Sequence, residues 1–218
     1  MNKILSSATS LVVMATATVS PGSSPDLPAR PAAISTTKEV NAAAEEVLTF
    51  WEAAGPSLWF AKDPAFDQRF RQRFLARYEA AVRGELESWS TAPRSALALI
   101  ILLDQFPRNS FRGTPRMYAT DEAARRFADA AIAAGYDRSV PKDLRLFMYL
   151  PFAHSESLAD QERSVELARR LSEDDLSHAE HHRDIVRRFG RFPHRNAILG
   201  RISTAEEVAY LESGGYRG

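Results

Sequence analysis

The chain of 218 residues contains no cysteine. Without a thiol it forms no disulfide, holds no thiolate zinc site and has no cysteine nucleophile. It also lacks an excess of charge of either sign, because 28 basic residues balance 28 acidic ones. Binding to nucleic acid or to an anionic membrane needs a basic excess, so we expect no nucleic-acid partner and no membrane partner.

Long apolar runs and strand patterns are missing as well. The most apolar segment, residues 96–103, is far shorter than the ~20 residues that a membrane-spanning helix needs. No segment alternates between apolar and polar residues in the way that a half-buried strand does. These absences favour an all-α protein.

The first 37 residues differ in composition from the rest. Segment 4–19 is mildly apolar and free of acids, and residues 15–17 form a small-residue cleavage site, followed by a Pro/Ser/Gly-rich linker over 20–31. A signal peptide, a disordered tail and a start placed too far upstream are three open interpretations. We expect residues 1–37 to be a leader that packs little against the core, and residues 38–218 to be a single domain. The expected location is the cytoplasm, or outside the cell if the leader is a signal peptide.

Apolar residues recur at every third or fourth position from Thr36 onward, which is the period of amphipathic helices. Asp63 followed by Pro64 predicts a helix start, and the apolar stripe continues from Phe66 to Trp89. Another predicted helix begins at Pro93, and we expect its segment 96–103 to be buried on every side. Further helices are predicted over about 120–135, 141–150, 157–171 and 172–190, and a short one from Thr204. Pro151 is expected to end or kink the helix over 141–150. We therefore predict a single all-α domain of seven to eight helices.

Three polar segments follow predicted helix ends, where functional residues concentrate. Asp104 and Arg108 lie in the first, and a buried carboxylate there needs a cationic partner. His154 and Glu156 lie in the second, where a neutral imidazole suits a general base. For both segments a purely structural role is the alternative: an Asp–Arg brace around a turn, and a hydrogen-bonded core histidine.

The third segment is rich in arginine. Residues 183–201 contain six arginines and one acid, Asp184. Arginine forks bind carboxylate or phosphate, although the same residues also neutralise helix ends and neighbouring acids. The candidate catalytic residues are therefore His154 and His194, and the candidate ligand-binding residues are Asp104, Arg108, Glu156, His182, Arg191 and Arg195.

His178 and His182 are four residues apart, the spacing of a metal-binding pair on one helix face. No third ligand is evident and no Glu follows the first histidine in the zinc-protease manner. We therefore predict no metal and no other cofactor.

The polar segments also resemble a known family. The motifs DQFPRN at 104–109, YLPFAHSE at 149–156 and RFGRFPHRN at 188–196 are similar to the signature blocks of a bacterial family called domain of unknown function 924, and Trp59-Phe60 fits an early motif. The resemblance spans about residues 47–211. It implies a helical fold similar to the tetratricopeptide-like superfamily, and it implies no activity and no catalytic residue.

The function that we expect is recognition of a small anionic ligand, a carboxylate or a phosphate, in an Arg/His-lined pocket, with acid/base catalysis as an extension. Whether the protein is an enzyme, and its oligomeric state, stay open. The alternative is a helical scaffold that binds a protein or peptide without catalysis. If the first interpretation is right, Arg108, His154 and Arg195 line one cavity of ~300–1,000 Å³.

Overall fold

The computed structural model describes residues 37–218, with side chains from residue 42 onward. This part of the chain is a single compact all-helical domain with nine α-helices and no strand. The helices are α1 Thr37–Ala54, α2 Pro56–Trp59, α3 Pro64–Val82, α4 Pro93–Ser110, α5 Asp121–Ala133, α6 Lys142–Ala153, α7 Leu158–Ala168, α8 Glu173–Phe189 and α9 Ala205–Glu212. Short 3₁₀ turns cover Glu87–Thr91, Pro115–Tyr118, Tyr136–Arg138 and Pro193–Arg195.

Over the same residues, no helix is both long enough and apolar enough to cross a membrane. The leader expected over residues 1–37 lies, except for its last residue, outside the described part of the chain. The division into leader and domain therefore stays a prediction.

Helix α4 forms the centre of the domain. Every residue from Ser95 to Pro107 is buried, and α1, α3, α5 and α6 pack around it. The prediction that 96–103 is buried on every side is thus confirmed. Aromatic rings extend this core, since Trp51 meets Phe147 at a centroid distance of 5.2 Å and Phe70 meets Phe106 at the same distance.

Helix α3 begins as the sequence predicts, because the Asp63 carboxylate accepts the N–H of Phe66 at 2.8 Å. It ends earlier than its apolar stripe predicts. The helix stops at Val82, which is 51% exposed, and Gly84 then adopts a φ of +77°. Such a left-handed turn redirects the chain, so that Trp89 reaches the core from a separate 3₁₀ turn.

Helix α4 continues past the point where the sequence predicts its end. We expected a loop from Asp104 onward, but α4 passes through Pro107 to Ser110. Proline has no N–H for the carbonyl of Leu103, four residues earlier. The Thr120 hydroxyl donates to that carbonyl at 2.5 Å and so replaces the missing bond. Thr120 precedes α5 as the N-cap residue, the kind of residue that commonly caps a helix, but its side chain does not cap α5.

Helix α6 likewise runs through Pro151 to Ala153, so of the two predicted effects of Pro151, ending or kinking the helix, the first does not occur. The later helices begin where their sequence signals place them. Ser172 caps α8, Gly190 ends it with a φ of +70°, and Thr204 with Glu207 forms both halves of a capping box on α9. The tetratricopeptide-like packing that the resemblance implies stays a prediction.

Candidate functional site

The C-terminal ends of α4 and α6, one face of α8 and the 3₁₀ turn at 193–195 surround a cavity of about 590 Å³. This volume is in the range of small-molecule sites. Arg108, His154 and Arg195 all line it, so the three polar segments meet as the sequence predicts. Its polar lining includes Lys62, Arg112, His178, His182 and His194, and its apolar lining includes Trp59, Phe60, Met117, Leu150, Phe192 and Tyr216.

A carboxylate–imidazole pair lies beside this cavity. Asp104 is fully buried, and its Oδ1 lies 2.8 Å from Nδ1 of His154. Burial alone would raise the pKa of Asp104, but the charge of Arg108 and the hydrogen bonds from His154 and Gln105 lower it to about 2. Asp104 is therefore ionised and only accepts hydrogen bonds, and Nδ1 of His154 must carry the proton that it donates. The Nε2 atom of His154 is then an acceptor.

We infer that the imidazole of His154 presents this acceptor to the cavity. Its ring lines the cavity, whereas Asp104, on the Nδ1 side, does not. Between residues 42 and 218 no group hydrogen-bonds to Nε2. Burial, followed by the charge of Arg108, lowers the pKa of His154, so the ring is neutral near pH 7.

A single amide fixes the turn that carries His154. Gln161 is fully buried, and its Nε2 donates to the carbonyls of Ala153 and Ser155 at 2.8 and 2.6 Å and to that of Phe152 at 3.4 Å. The carbonyl of Ala153, the last residue of α6, has no partner within the helix, and the amide satisfies it. The backbone on both sides of His154 is thereby held.

Two arginines that line the cavity pair with two aspartates that do not line it, and these four side chains together are the polar floor. Arg108 approaches Asp104 at 3.2 Å and Asp121, in the first turn of α5, at 2.8 Å. Arg195 approaches the other oxygen of Asp121 at 3.5 Å. The four formal charges cancel, so the floor carries no net charge.

Arg195 differs from the other arginines of the site. It is only 7% exposed, and its guanidinium lies 4.6 Å from the ring centroids of both Tyr118 and Phe192. Within the described residues its guanidinium donates no hydrogen bond, and its buried Nε has no partner. Burial and the nearby charge of Arg108 lower its pKa. The cavity therefore contains a buried cation whose donors are unused.

The two other predicted histidines are packed among aromatic rings. His182 lies 4.7 Å from the Tyr216 ring and 5.5 Å from Phe192, and His194 lies 5.1 Å from Tyr216. Burial is the main cause that lowers the pKa of His182 to about 3 and that of His194 to about 4. Nδ1 of each is buried with no partner among the described groups. Both rings are therefore neutral parts of the wall.

Glu156 and Arg191, which we expected to bind the ligand, do not line the cavity. The Glu156 carboxylate accepts two bonds from Arg201, at 2.6 and 2.9 Å, and the N–H of Phe192 at 2.8 Å. Arg191 donates two bonds to Glu207, at 2.6 and 2.8 Å. Both side chains instead hold segment 190–207 in place, because each is already saturated by an opposite charge.

Several residues of the cavity were not predicted. Tyr118 lines the cavity from a 3₁₀ turn, and Lys62 and Tyr216 line it from segments far apart in the chain. Nothing in their local pattern marks them, since an isolated tyrosine or lysine is common at surfaces. Trp59 and Phe60 fit the early family motif, and that motif is the one signal that pointed toward this wall.

His178 and His182 both line the cavity, but no third ligand joins them. Among the described side chains there is no group of three or more His, Cys, Asp or Glu that could hold a metal ion. The expectation of no metal and no cofactor stays a prediction.

Comparisons with known proteins give a family and a fold but no activity. The sequence profile of the family described as "Bacterial protein of unknown function (DUF924)" matches residues 47–215. The solved structure of a protein of unknown function, ATU0120 from Agrobacterium tumefaciens, is 55% identical and superimposes with a TM-score of 0.79 over 80% of this chain and 99% of that one. No curated protein matches the chain. Because the profile covers most of its length, the chain belongs to the bacterial family DUF924.

Proposed function

We propose that the cavity binds a small organic anion through Arg195. One observation carries this proposal: a guanidinium that is only 7% exposed donates no hydrogen bond to a described group, its buried Nε has no partner, and its ion-pair contact with Asp121 is 3.5 Å long. Leaving a buried donor unpaired costs about 1–3 kcal/mol, and more for a charged group. A ligand with acceptor oxygens removes that cost, and a planar carboxylate matches the fork of an arginine.

The charges around the cavity favour a ligand with a single negative charge. Asp104 and Asp121 already balance Arg108 and Arg195, and the pKa values of His182 and His194, about 3 and 4, keep those rings neutral. Because the floor carries no net charge, a monocarboxylate adds one unbalanced negative charge, whereas a phosphate dianion adds two. A monocarboxylate therefore suits the site better than a phosphate.

The remaining walls favour a ligand with an apolar body. Trp59, Met117, Leu150 and Phe192 line the cavity beside the charged floor. Small-molecule sites commonly combine such walls with a few polar groups that fix orientation. The proposed ligand is thus a monocarboxylic acid whose hydrocarbon part lies against these side chains.

His154 is the group placed to move a proton if the bound acid reacts. Its Nε2 faces the cavity, and Asp104 stabilises the imidazolium that would form. His194 has no such carboxylate, and its pKa of about 4 makes it a poor base near pH 7. Acid/base chemistry in this cavity would therefore use His154 and not His194.

Isothermal titration calorimetry tests the binding proposal. The probes are propionate, 4-methylpentanoate and 3-phenylpropionate, with the matching amides as neutral controls and inorganic phosphate as the dianion. We expect at least one acid to bind and its amide not to bind. Arg195→Ala should weaken binding by at least about tenfold, the worth of a charged hydrogen bond. Arg187→Ala, which removes an exposed arginine of α8 paired with Glu162 and Asp184, is the matched control and should leave binding unchanged.

Equal binding of acids and amides would contradict a role for the charge of Arg195. Binding of phosphate in preference to every carboxylate would overturn the monocarboxylate assignment. If no acid binds and short peptides do, the scaffold interpretation replaces this one.

A further inference from the structure

The cavity has two unused hydrogen-bonding groups of opposite kind. The Arg195 guanidinium offers only donors, and the neutral His154 ring, with its Nδ1 proton committed to Asp104, offers an acceptor at Nε2. Both side chains line the same cavity. A plain carboxylate satisfies the first group and leaves the second without a partner.

On the basis of the function proposed above, we propose that the ligand is a hydroxy acid: its carboxylate binds Arg195 and its hydroxyl donates a hydrogen bond to Nε2 of His154. Asp104 makes this recognition directional. Because its carboxylate accepts the Nδ1 proton at 2.8 Å, the tautomer with a bare Nε2 is the one that the buried pair favours. His154 thus recognises a hydroxyl proton, whereas a ligand carbonyl at this place would meet lone pair against lone pair.

The nearby charges select a hydroxyl over an ammonium group. Arg108 lies on the floor between His154 and Arg195, in contact with Asp104 and with Asp121, the partner of Arg195. An α-ammonium group at the position of the hydroxyl would bring a third cation to this floor. Its attraction to Asp104 is weakened, since that carboxylate is already paired with Arg108 and His154. A 2-hydroxy acid should therefore bind more tightly than the 2-amino acid of the same skeleton.

Matched pairs of small acids test the proposal by calorimetry. Lactate is compared with propionate, 2-hydroxy-4-methylpentanoate with 4-methylpentanoate and with leucine, and 3-phenyllactate with 3-phenylpropionate. In the wild type we expect the hydroxy acid of a pair to bind about fivefold more tightly, the worth of one neutral hydrogen bond. In His154→Leu, an apolar replacement of similar size, the two members of a pair should bind equally.

The outcomes separate the two proposals. If acids bind without any preference for the hydroxyl, or if His154→Leu keeps that preference, the hydroxy-acid inference is overturned and the anion site stands. If leucine binds more tightly than its hydroxy analogue, the hydroxyl assignment is wrong. If no member of any pair binds, the anion site itself is wrong, and this inference fails with it.

A second measurement needs no variant that alters the cavity. The chain has five histidines, so ¹⁵N-histidine labelling gives a spectrum simple enough to assign. The long-range ¹H–¹⁵N correlations of His154 should show a protonated Nδ1 and a bare Nε2 near pH 7, with the Nε2 shift moving when 3-phenyllactate is added. The opposite tautomer in the free protein would overturn the proposal even if every variant failed to fold.

Discussion

Two neighbouring regions of the molecule are built from the same residue types and use them differently. In segment 190–207 and its contacts, Arg191 with Glu207 and Arg201 with Glu156 each form two-point ion pairs whose carboxylates also accept backbone N–H groups. At the cavity floor, Arg195 keeps its donors unused. We call the ion pairs of segment 190–207 closed, because their guanidinium groups donate hydrogen bonds to carboxylates. We call Arg195 an open cation, because its guanidinium donates none. What distinguishes the proposed binding site from segment 190–207 is therefore the presence of hydrogen-bond donors without a partner, and not the density of charge.

Lowering the pH from 7 to 5 should destabilise the cavity wall but not the ion pairs of segment 190–207, and this is the largest effect that we expect. The pKa values of His182 and His194 in the folded state, about 3 and 4, lie below the 6.5 of an ordinary histidine. Between these values the unfolded chain binds more protons, so stability is complete above pH 6.5 and is lost as the pH falls. Each ring should cost up to about 2 kcal/mol at about pH 5. His154, whose pKa is also lowered, acts in the same direction.

The carboxylates of the ion pairs respond only at lower pH. The pKa of Glu207, with Arg191 as the main cause, is lowered to about 2 in the fold, so its contribution is complete above the ordinary value of 4.5 and is lost below it. Urea unfolding from pH 7 to pH 5 should thus report the cavity wall alone. His182→Gln should flatten the slope, and His181→Gln, on the exposed side of the same helix, should not. Identical slopes in both variants would contradict the assignment.

Breaking a closed ion pair should cost more than any single change at the floor. Glu207→Ala strands Arg191 and removes the capping box of α9, so the free energy of unfolding should fall by about 3 kcal/mol in urea titrations. The neighbouring Glu206→Ala, which removes a carboxylate that is 61% exposed, should cost under about 1 kcal/mol. A small loss of unfolding free energy for Glu207→Ala would mean that the Arg191–Glu207 pair does not stabilise the fold.

Replacing the open cation, Arg195, should raise the stability of the ligand-free protein rather than lower it. Arg195→Met replaces a buried guanidinium with unused donors by an apolar chain of similar length, so the ligand-free protein should gain about 1 kcal/mol. That gain corresponds to a rise of about 2–4 °C in melting temperature, measured by scanning calorimetry. Arg191→Met should lower the melting temperature instead. If the melting temperature of both variants falls, Arg195 has a structural role like that of Arg191, and the proposed anion site loses its support.

The smallest effect tests how α4 tolerates an internal proline. Thr120→Val removes the hydroxyl that donates to the Leu103 carbonyl, and it should cost about 1 kcal/mol in urea titrations. Thr120→Ser keeps the hydroxyl and should cost less. A larger loss for Thr120→Ser than for Thr120→Val would show that the methyl group of Thr120, and not its hydrogen bond, matters at this place.

The helices were largely predictable because their signals are local. The Asp63 cap, the Gly190 stop and the Thr204 capping box each depend on residues within one turn, and each is present. The end of α4 was not predictable in this way. Pro107 is compatible with a helix only because Thr120 is brought next to Leu103 by the packing of α5, and no local pattern contains that contact.

The candidate site shows the same limit at the level of side chains. That polar segments 104–113, 149–161 and 178–201 would meet was predictable from where helices end. Which arginine of the last segment faces the cavity was not, since Arg191 and Arg195 are one helical turn apart in a stretch of irregular backbone. Their roles depend on partners that are distant in the sequence. Arg191 donates a hydrogen bond to Glu207, whereas Arg195 lies against the ring of Tyr118 without a hydrogen bond.

The Gln161 amide has a consequence for the speed of binding. It holds the backbone on both sides of His154 through three carbonyls, so this turn is already ordered before any ligand arrives. A ligand that reaches the imidazole pays no loop-ordering entropy there, and its association needs no closing motion of this segment. Release, rather than capture, would then determine how long a ligand stays. Gln161 would influence the residence time of the proposed ligand only through rigidity, since it is fully buried and does not line the cavity.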